Sequence, residues 1–257
     1  MPVKRTLRRI AERVLDVRIV HHGEVAPVFE RDHLRRFFDR FQVDCVFDVG
    51  ANAGQYASML RKDVGYQGYL ISYEPIPEMA AKLRELAAGD PAWFIEELAL
   101  DAAAGSASLN VFTGSQFSSL HEVSRDGSDL FRNQTQLSRR IDVRTATAAA
   151  ELLRYRDQLG FERPFLKLDT QGHDLSVARG AGQELRQFIG IQSELAIRRL
   201  YADSPSYEEA LEFYQGNGFE LSALVPNNLG HFPRLLEIDC ILYRRDAAPS
   251  DAARRGH

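Results

Sequence analysis

The 257-residue chain has only two cysteines, Cys45 and Cys240, both inside short apolar runs. That placement suits small buried residues in a reducing compartment and excludes a disulfide framework or a thiolate metal centre. No apolar run approaches the roughly 18 residues of a membrane span, and no signal-like apolar core follows the basic residues of the N-terminus. A cytoplasmic protein is expected. A dominant charge is missing too. With 32 Lys and Arg against 36 Asp and Glu, nothing draws the chain as a whole to nucleic acid. A chain of this length with 44% hydrophobic residues is large enough for one well-buried α/β core and small for two.

What is present centres on residues 44–56. Cys45, Val46, Phe47 and Val49 form an apolar run broken only by Asp48, as in a central parallel strand. Gly50 and Gly54 follow, and a helix opens near Gln55, where free backbone amides face a polar ligand end. The next apolar run, 69–73, ends at Glu74 and Pro75, 20 residues beyond Gly54, the place of a ribose-binding acid. Turn and acid together point to a nucleoside. The pyrophosphate fingerprint Gly-x-Gly-x-x-Gly is lacking, because Asn52 stands where its second glycine is needed. Asp48 beside the turn would repel pyrophosphate and attract an amino group, which favours S-adenosylmethionine over a dinucleotide. The structural alternative is that Asp48 caps the turn and the glycines serve only tight packing.

Along the rest of the chain, residues 3–20 carry Val3, Leu7, Ile10, Val14 and Val17 at helical spacing among basic residues. This helix is expected to cover its own domain or a second subunit of a homodimer. Contact with an anionic membrane surface is the weaker reading, since the stripe is narrow and lacks Trp and Phe. Helices are expected over 30–41, 55–61, 77–88, 144–159 and 205–216. Strands are expected over 69–73, 93–100, 106–112, 165–168, 190–195, 219–224 and 237–243. This alternation predicts a Rossmann-like α/β fold, with helices on both faces of a mostly parallel sheet and strand ends converging on one edge. Ala99 and Leu100 would there face an adenine, with Asp101 a weaker contact. Residues 113–140 are polar and irregular, and are read as a substrate-facing lid in which His121 could act as a base. The organisation is a helical extension over 1–42, a catalytic domain over 43–245 and a disordered tail over 246–257.

The runs Phe47-Asp48-Val49-Gly50-Ala51-Asn52-Ala53-Gly54-Gln55-Tyr56, Tyr73-Glu74-Pro75 and Phe165-Leu166-Lys167-Leu168-Asp169-Thr170-Gln171-Gly172-His173-Asp174-Leu175 resemble the FkbM family of S-adenosylmethionine-dependent methyltransferases. So do Gly190-Ile191-Gln192-Ser193-Glu194-Leu195, Gly218-Phe219-Glu220-Leu221 and Glu237-Ile238-Asp239-Cys240, and the likeness covers about 43–245. The resemblance implies a class I methyltransferase fold whose seven-stranded sheet ends in an antiparallel hairpin. It also implies methyl transfer to a hydroxyl of a sugar, glycolipid or secondary metabolite such as a polyketide. It places Asp169 beside the transferable methyl, and Ser118 and Ser119 match a serine-rich patch that would contact substrate. The family usually has Glu where this chain has Gln171, and many relatives have Leu-Asp where it has Ala146-Thr147.

Methyl transfer to oxygen needs in-line positioning and removal of a proton. Asp169 is expected to be the catalytic carboxylate, with His173 as second candidate for the proton and Glu194 in support. Asp169 with Glu194 or Asp174 would hold magnesium if an ion is used. The rival readings are a nicotinamide-dependent oxidoreductase, disfavoured by Asn52, and a noncatalytic relative that keeps the nucleoside pocket for binding or assembly.

Overall fold

The protein is described from a computed structural model covering residues 20, 22–114, 118–121, 136–199, 201, 204–226 and 233–247. The expected helix over 3–20, except Val20, lies outside the described residues, as do 115–117 and 122–135 of the lid and residues 248–257.

In chain order the elements are α1 (Val25–Phe41), β1 (Cys45–Val49), α2 (Gln55–Met59), β2 (Tyr69–Tyr73), α3 (Pro77–Ala87), β3 (Trp93–Glu96), β4 (Ala99–Leu100) and β5 (Gly105–Phe112). Then come β6 (Leu137–Ala146), α4 (Ala148–Leu159), β7 (Pro164–Leu168), α5 (Asp174–Gly180), β8 (Gly190–Ala196), α6 (Tyr207–Gly216), β9 (Phe219–Pro226) and β10 (Glu237–Arg244). The main sheet has seven strands in the order β3-β2-β1-β7-β8-β10-β9. All neighbours are parallel except β10, which runs antiparallel to both β8 and β9. The Rossmann-like sheet and its closing hairpin are therefore as expected.

Alternate strand residues feed two apolar layers, as the pleat demands. Val46 and Phe165 pack with Leu34 and Phe37 of α1, Ala57 of α2 and Leu83 of α3. Phe47, Val49 and Leu166 face Leu152 of α4, Leu175 of α5 and Tyr214 of α6. The Phe37 ring lies 5.4 Å from Phe165, so the described part of the N-terminal extension is built into this core.

Two expectations are corrected. The strand expected over 93–100 is two strands: β3 leaves the main sheet after Glu96, whose carboxylate accepts from the Tyr155 hydroxyl and Arg154, and β4 pairs with β6 instead. The helix expected from Arg144 starts only at Ala148, where the Thr147 hydroxyl accepts from the Ala150 amide as its N-cap. Residues 137–146 before it are a strand, with Val143 and Thr145 buried while Asp142 and Arg144 face out. That is period-2 alternation. The strand completes a three-stranded sheet, β4-β6-β5, whose Leu109, Val111 and Val143 pack on Ile76 beside the parallel strand ends.

Candidate functional site

The C-terminal ends of β1, β2, β7 and β8 surround a cavity of about 280 Å³. Its floor begins where β1 ends. Gly50 has φ +78°, and a Cβ there would sit 2.0 Å from the Asp169 carbonyl oxygen, so only glycine lets the ends of β1 and β7 close together. At the neighbouring strand end, Glu74 is 4% exposed and lines the cavity. Its two oxygens accept from the backbone amides of Asn52 and Ile76, both at 2.8 Å. Burial nevertheless pushes its carboxyl up to about 7, beyond what those amides recover. Each oxygen keeps a second lone pair, so the acid suits two further donors such as a ribose diol. Ile76, Ala99, Leu100 and Leu109 form an apolar wall next to it that suits a flat base. Gly50, Asn52, Glu74, Pro75, Ala99 and Leu100 thus line the cavity.

Asp48 lies elsewhere. It shares the Val46 face of β1, and pairing across the sheet sets Ser72, Asp48, Lys167 and Gln192 in one transverse row. Asp48 is fully buried and accepts from the Ser72 hydroxyl, itself held by the Trp93 indole, and the Lys167 ammonium lies 3.5 Å away. Its carboxylate is therefore a counter-ion to lysine and does not line the cavity, so the expected contact with a ligand amino group is replaced by a protein one. Burial raises the Asp48 carboxyl, and Lys167 and Ser72 oppose that rise. For Lys167 burial disfavours the charge, but Asp169 and Asp48 outweigh it and raise the ammonium above its ordinary value. Tyr56 stacks its ring 5.1 Å from this ammonium and donates to Gln192, which donates to Glu30 of α1. Gly54 faces Leu83, and Gln55 is exposed. Gly54, Gln55 and Tyr56 therefore build the scaffold around the turn and do not touch the cavity.

Across the cavity from Glu74 stand Asp169, Gln171, His173, Glu194 and Glu237. Lys167 donates to Asp169 Oδ2 at 3.3 Å, and the Gln171 amide donates to Asp169 Oδ1 at 2.9 Å and to Glu194 Oε2 at 3.2 Å. Burial, then Glu237 and Asp169, raise the Glu194 carboxyl well above the usual range. Asp174 is turned away: its oxygens accept from the Thr170 amide and hydroxyl, the Ser193 hydroxyl and the Glu194 amide. The expected magnesium ligands thus do not fit an ion. Asp174 is saturated by its own chain, and an amide nitrogen lies between the other two carboxylates. Among the described residues no group of three or more His, Cys, Asp or Glu is arranged to hold a metal.

The histidines form a chain that the sequence could not reveal. His173 bonds Asp101 Oδ1 through Nε2 at 2.8 Å and His121 Nε2 through Nδ1 at 3.0 Å. With both nitrogens engaged, His173 cannot take a proton directly from a ligand in this arrangement. Asp101 is its partner and does not line the base slot. Ser118 and Ser119 line the cavity, and Ser119 exchanges backbone bonds with Asn110 while its hydroxyl donates to the Gln171 carbonyl. Glu237 and the role of Gln171 were missed. Two acids, Glu237 and Asp239, at the opening of a mostly apolar strand were the available signal for Glu237. For Gln171 the one signal was its place where the resembled family usually has Glu.

A family model described as the methyltransferase FkbM domain matches residues 48–221. Solved structures similar to this chain include fibrillarin from Aeropyrum pernix in complex with natively bound S-adenosyl-L-methionine, at 13% identity over 77% of this chain and 66% of that one, with a TM-score of 0.43. Magnesium protoporphyrin IX methyltransferase from Synechocystis PCC 6803 with bound SAM is 10% identical over 94% of this chain and 96% of that one, TM-score 0.44. An rRNA methylase from Streptococcus thermophilus is 9% identical over 84% and 94%, TM-score 0.42. No curated protein matches the chain.

Proposed function

The chain belongs to the FkbM methyltransferase family, and from that premise we propose that it is an S-adenosylmethionine-dependent O-methyltransferase acting on a hydroxyl of a sugar, glycolipid or secondary metabolite. The observation that carries the reading is one cavity with a buried ribose-type acid, Glu74, at one side and the Asp169, Gln171 and Glu194 cluster at the other. When bound, S-adenosylmethionine supplies a methyl group on a sulfonium, and transfer forms an O–CH3 bond as the S–CH3 bond breaks with its electron pair passing to sulfur.

The protein's part is to hold, orient and deprotonate. Glu74 grips the ribose and the Ile76 and Leu100 wall packs the adenine. Asp169 faces the acceptor hydroxyl and takes its proton late in the displacement, with its geometry fixed by Lys167 on one oxygen and Gln171 on the other. Glu194, Glu237, Ser118 and Ser119 offer a hydroxyl-rich acceptor several hydrogen-bond partners. His173 is a positioning residue that passes a proton only along the chain between Asp101 and His121. Among the described residues no helix is long and apolar enough to cross a membrane.

A methylation screen against extracted glycans and lipids, run with and without chelator, tests the proposal. A labelled glycan or glycolipid product is expected. Asp169→Asn is expected to lower turnover by roughly 10²-fold or more while cofactor affinity stays within a few-fold, since general base contributions are of this size. Full turnover by Asp169→Asn would remove the catalytic assignment.

A further inference from the structure

Gln171 carries more bonds than its place in a turn requires. Its φ is +55°, a left-handed conformation that side-chain-bearing residues adopt rarely and that persists only where the surroundings enforce it. Four hydrogen bonds do so. The amide nitrogen donates to Asp169 and Glu194, the amide oxygen accepts from the Tyr201 hydroxyl at 2.8 Å, and the backbone carbonyl accepts from the Ser119 hydroxyl at 2.8 Å. The partners fix which way the amide points, because a flipped amide would press its oxygen against Asp169 Oδ1.

We propose that Gln171 is the positioning residue of the transfer site, its neutral amide standing where a divalent ion would otherwise bridge Asp169 and Glu194. One N–H serves each carboxylate, which holds residues from β7 and β8 in register without adding charge. A hard cation there would need several oxygen ligands at roughly 2.0–2.6 Å. It would meet instead an amide nitrogen and, on the far oxygen of Asp169, the Lys167 ammonium. The same residue clasps the Ser119 segment to the cluster through its backbone carbonyl, so one residue couples the acid pair to the wall of the cavity. The role of Asp169 in transfer rests on the function proposed above. The exclusion of a bridging ion does not.

The test is Mn²⁺ titration of the full chain, read by the loss of the free-ion electron paramagnetic resonance signal, for the parent, Gln171→Glu and Asp169→Asn. The parent is expected to take up no ion at concentrations up to about 1 mM, a range that fills even weak carboxylate sites. Gln171→Glu keeps the side-chain shape and adds a third carboxylate at the bridging point, and is expected to bind Mn²⁺ at least tenfold more tightly than the parent. Gln171→Leu should lower kcat with cofactor affinity unchanged, a split that general loss of structure would not give. Uptake by the parent that Asp169→Asn abolishes would overturn the proposal, as would Gln171→Glu binding no better than the parent. S-adenosylhomocysteine calorimetry on the parent keeps the two readings apart: no binding there defeats the methyltransferase proposal and leaves the metal result standing.

Discussion

A Lys167→Met variant is expected to unfold with about 3–5 kcal/mol less free energy than the parent, the usual effect of stripping one partner from a buried ion pair. The side chain is 8% exposed and its ammonium is shared by Asp48 and Asp169. Asp169 is 43% exposed and can turn to water, but Asp48 is fully buried and cannot. Without the lysine, Asp48 retains one neutral donor, Ser72, for a buried charge. Protonating Asp48 relieves part of the penalty, so the variant should be more stable relative to the parent at acidic pH. Urea unfolding followed by circular dichroism measures the loss, and a melting shift on the order of 10 °C should accompany it. Adding Asp48→Asn to the variant should restore part of the stability, because the orphaned charge is then gone. A loss under about 1 kcal/mol would mean that water reaches Asp48 and that the row across the sheet is not dry.

The second large effect is on cofactor affinity. Glu74→Ala removes two charge-assisted bonds to a ribose, each worth about 1.5–3 kcal/mol, so affinity for S-adenosylhomocysteine should fall by roughly 10²-fold or more. The variant also frees the amide of Asn52, whose φ of +46° the Glu74 bond helps to hold, and some loss would come through that turn. The pH profile separates contact from scaffold. Glu74 in the free protein sits near 7, and ribose hydroxyls donate to its ionised form, so binding lowers its pKa and releases a proton below that pH. Parent affinity should therefore weaken by up to about tenfold per unit as pH falls below 7 and stay level above it. Glu74→Ala should show no such limb. A parent profile flat from pH 5.5 to 8 would show that Glu74 does not hold the ligand.

Much of this site was legible before the structure. Tyr69–Tyr73 and the acid that follows it were placed to the residue because a buried parallel strand is a short, nearly unbroken apolar run with sharp ends. The hidden features all depend on pairing. Asp48 was given to the ligand because it precedes the glycine turn, yet the face it occupies is that of Val46, and only the register with β7 shows Lys167 beside it. The strand over 137–146 was absorbed into the polar lid and the next helix because its outward positions are charged. Ile141, Val143 and Thr145 at period two were nevertheless in view. The chain from Asp101 through His173 to His121 joins residues 72 and 52 positions apart, and no local pattern encodes that.

The most direct measurement is the crystal structure of the protein with S-adenosylhomocysteine. The ribose hydroxyls should lie within hydrogen-bonding distance of Glu74, the adenine should sit against Ile76 and Leu100, and the sulfur should face Asp169 with the Asp169–Gln171–Glu194 bonds intact. A ligand held away from Glu74, or a sulfur turned from Asp169, would contradict the account.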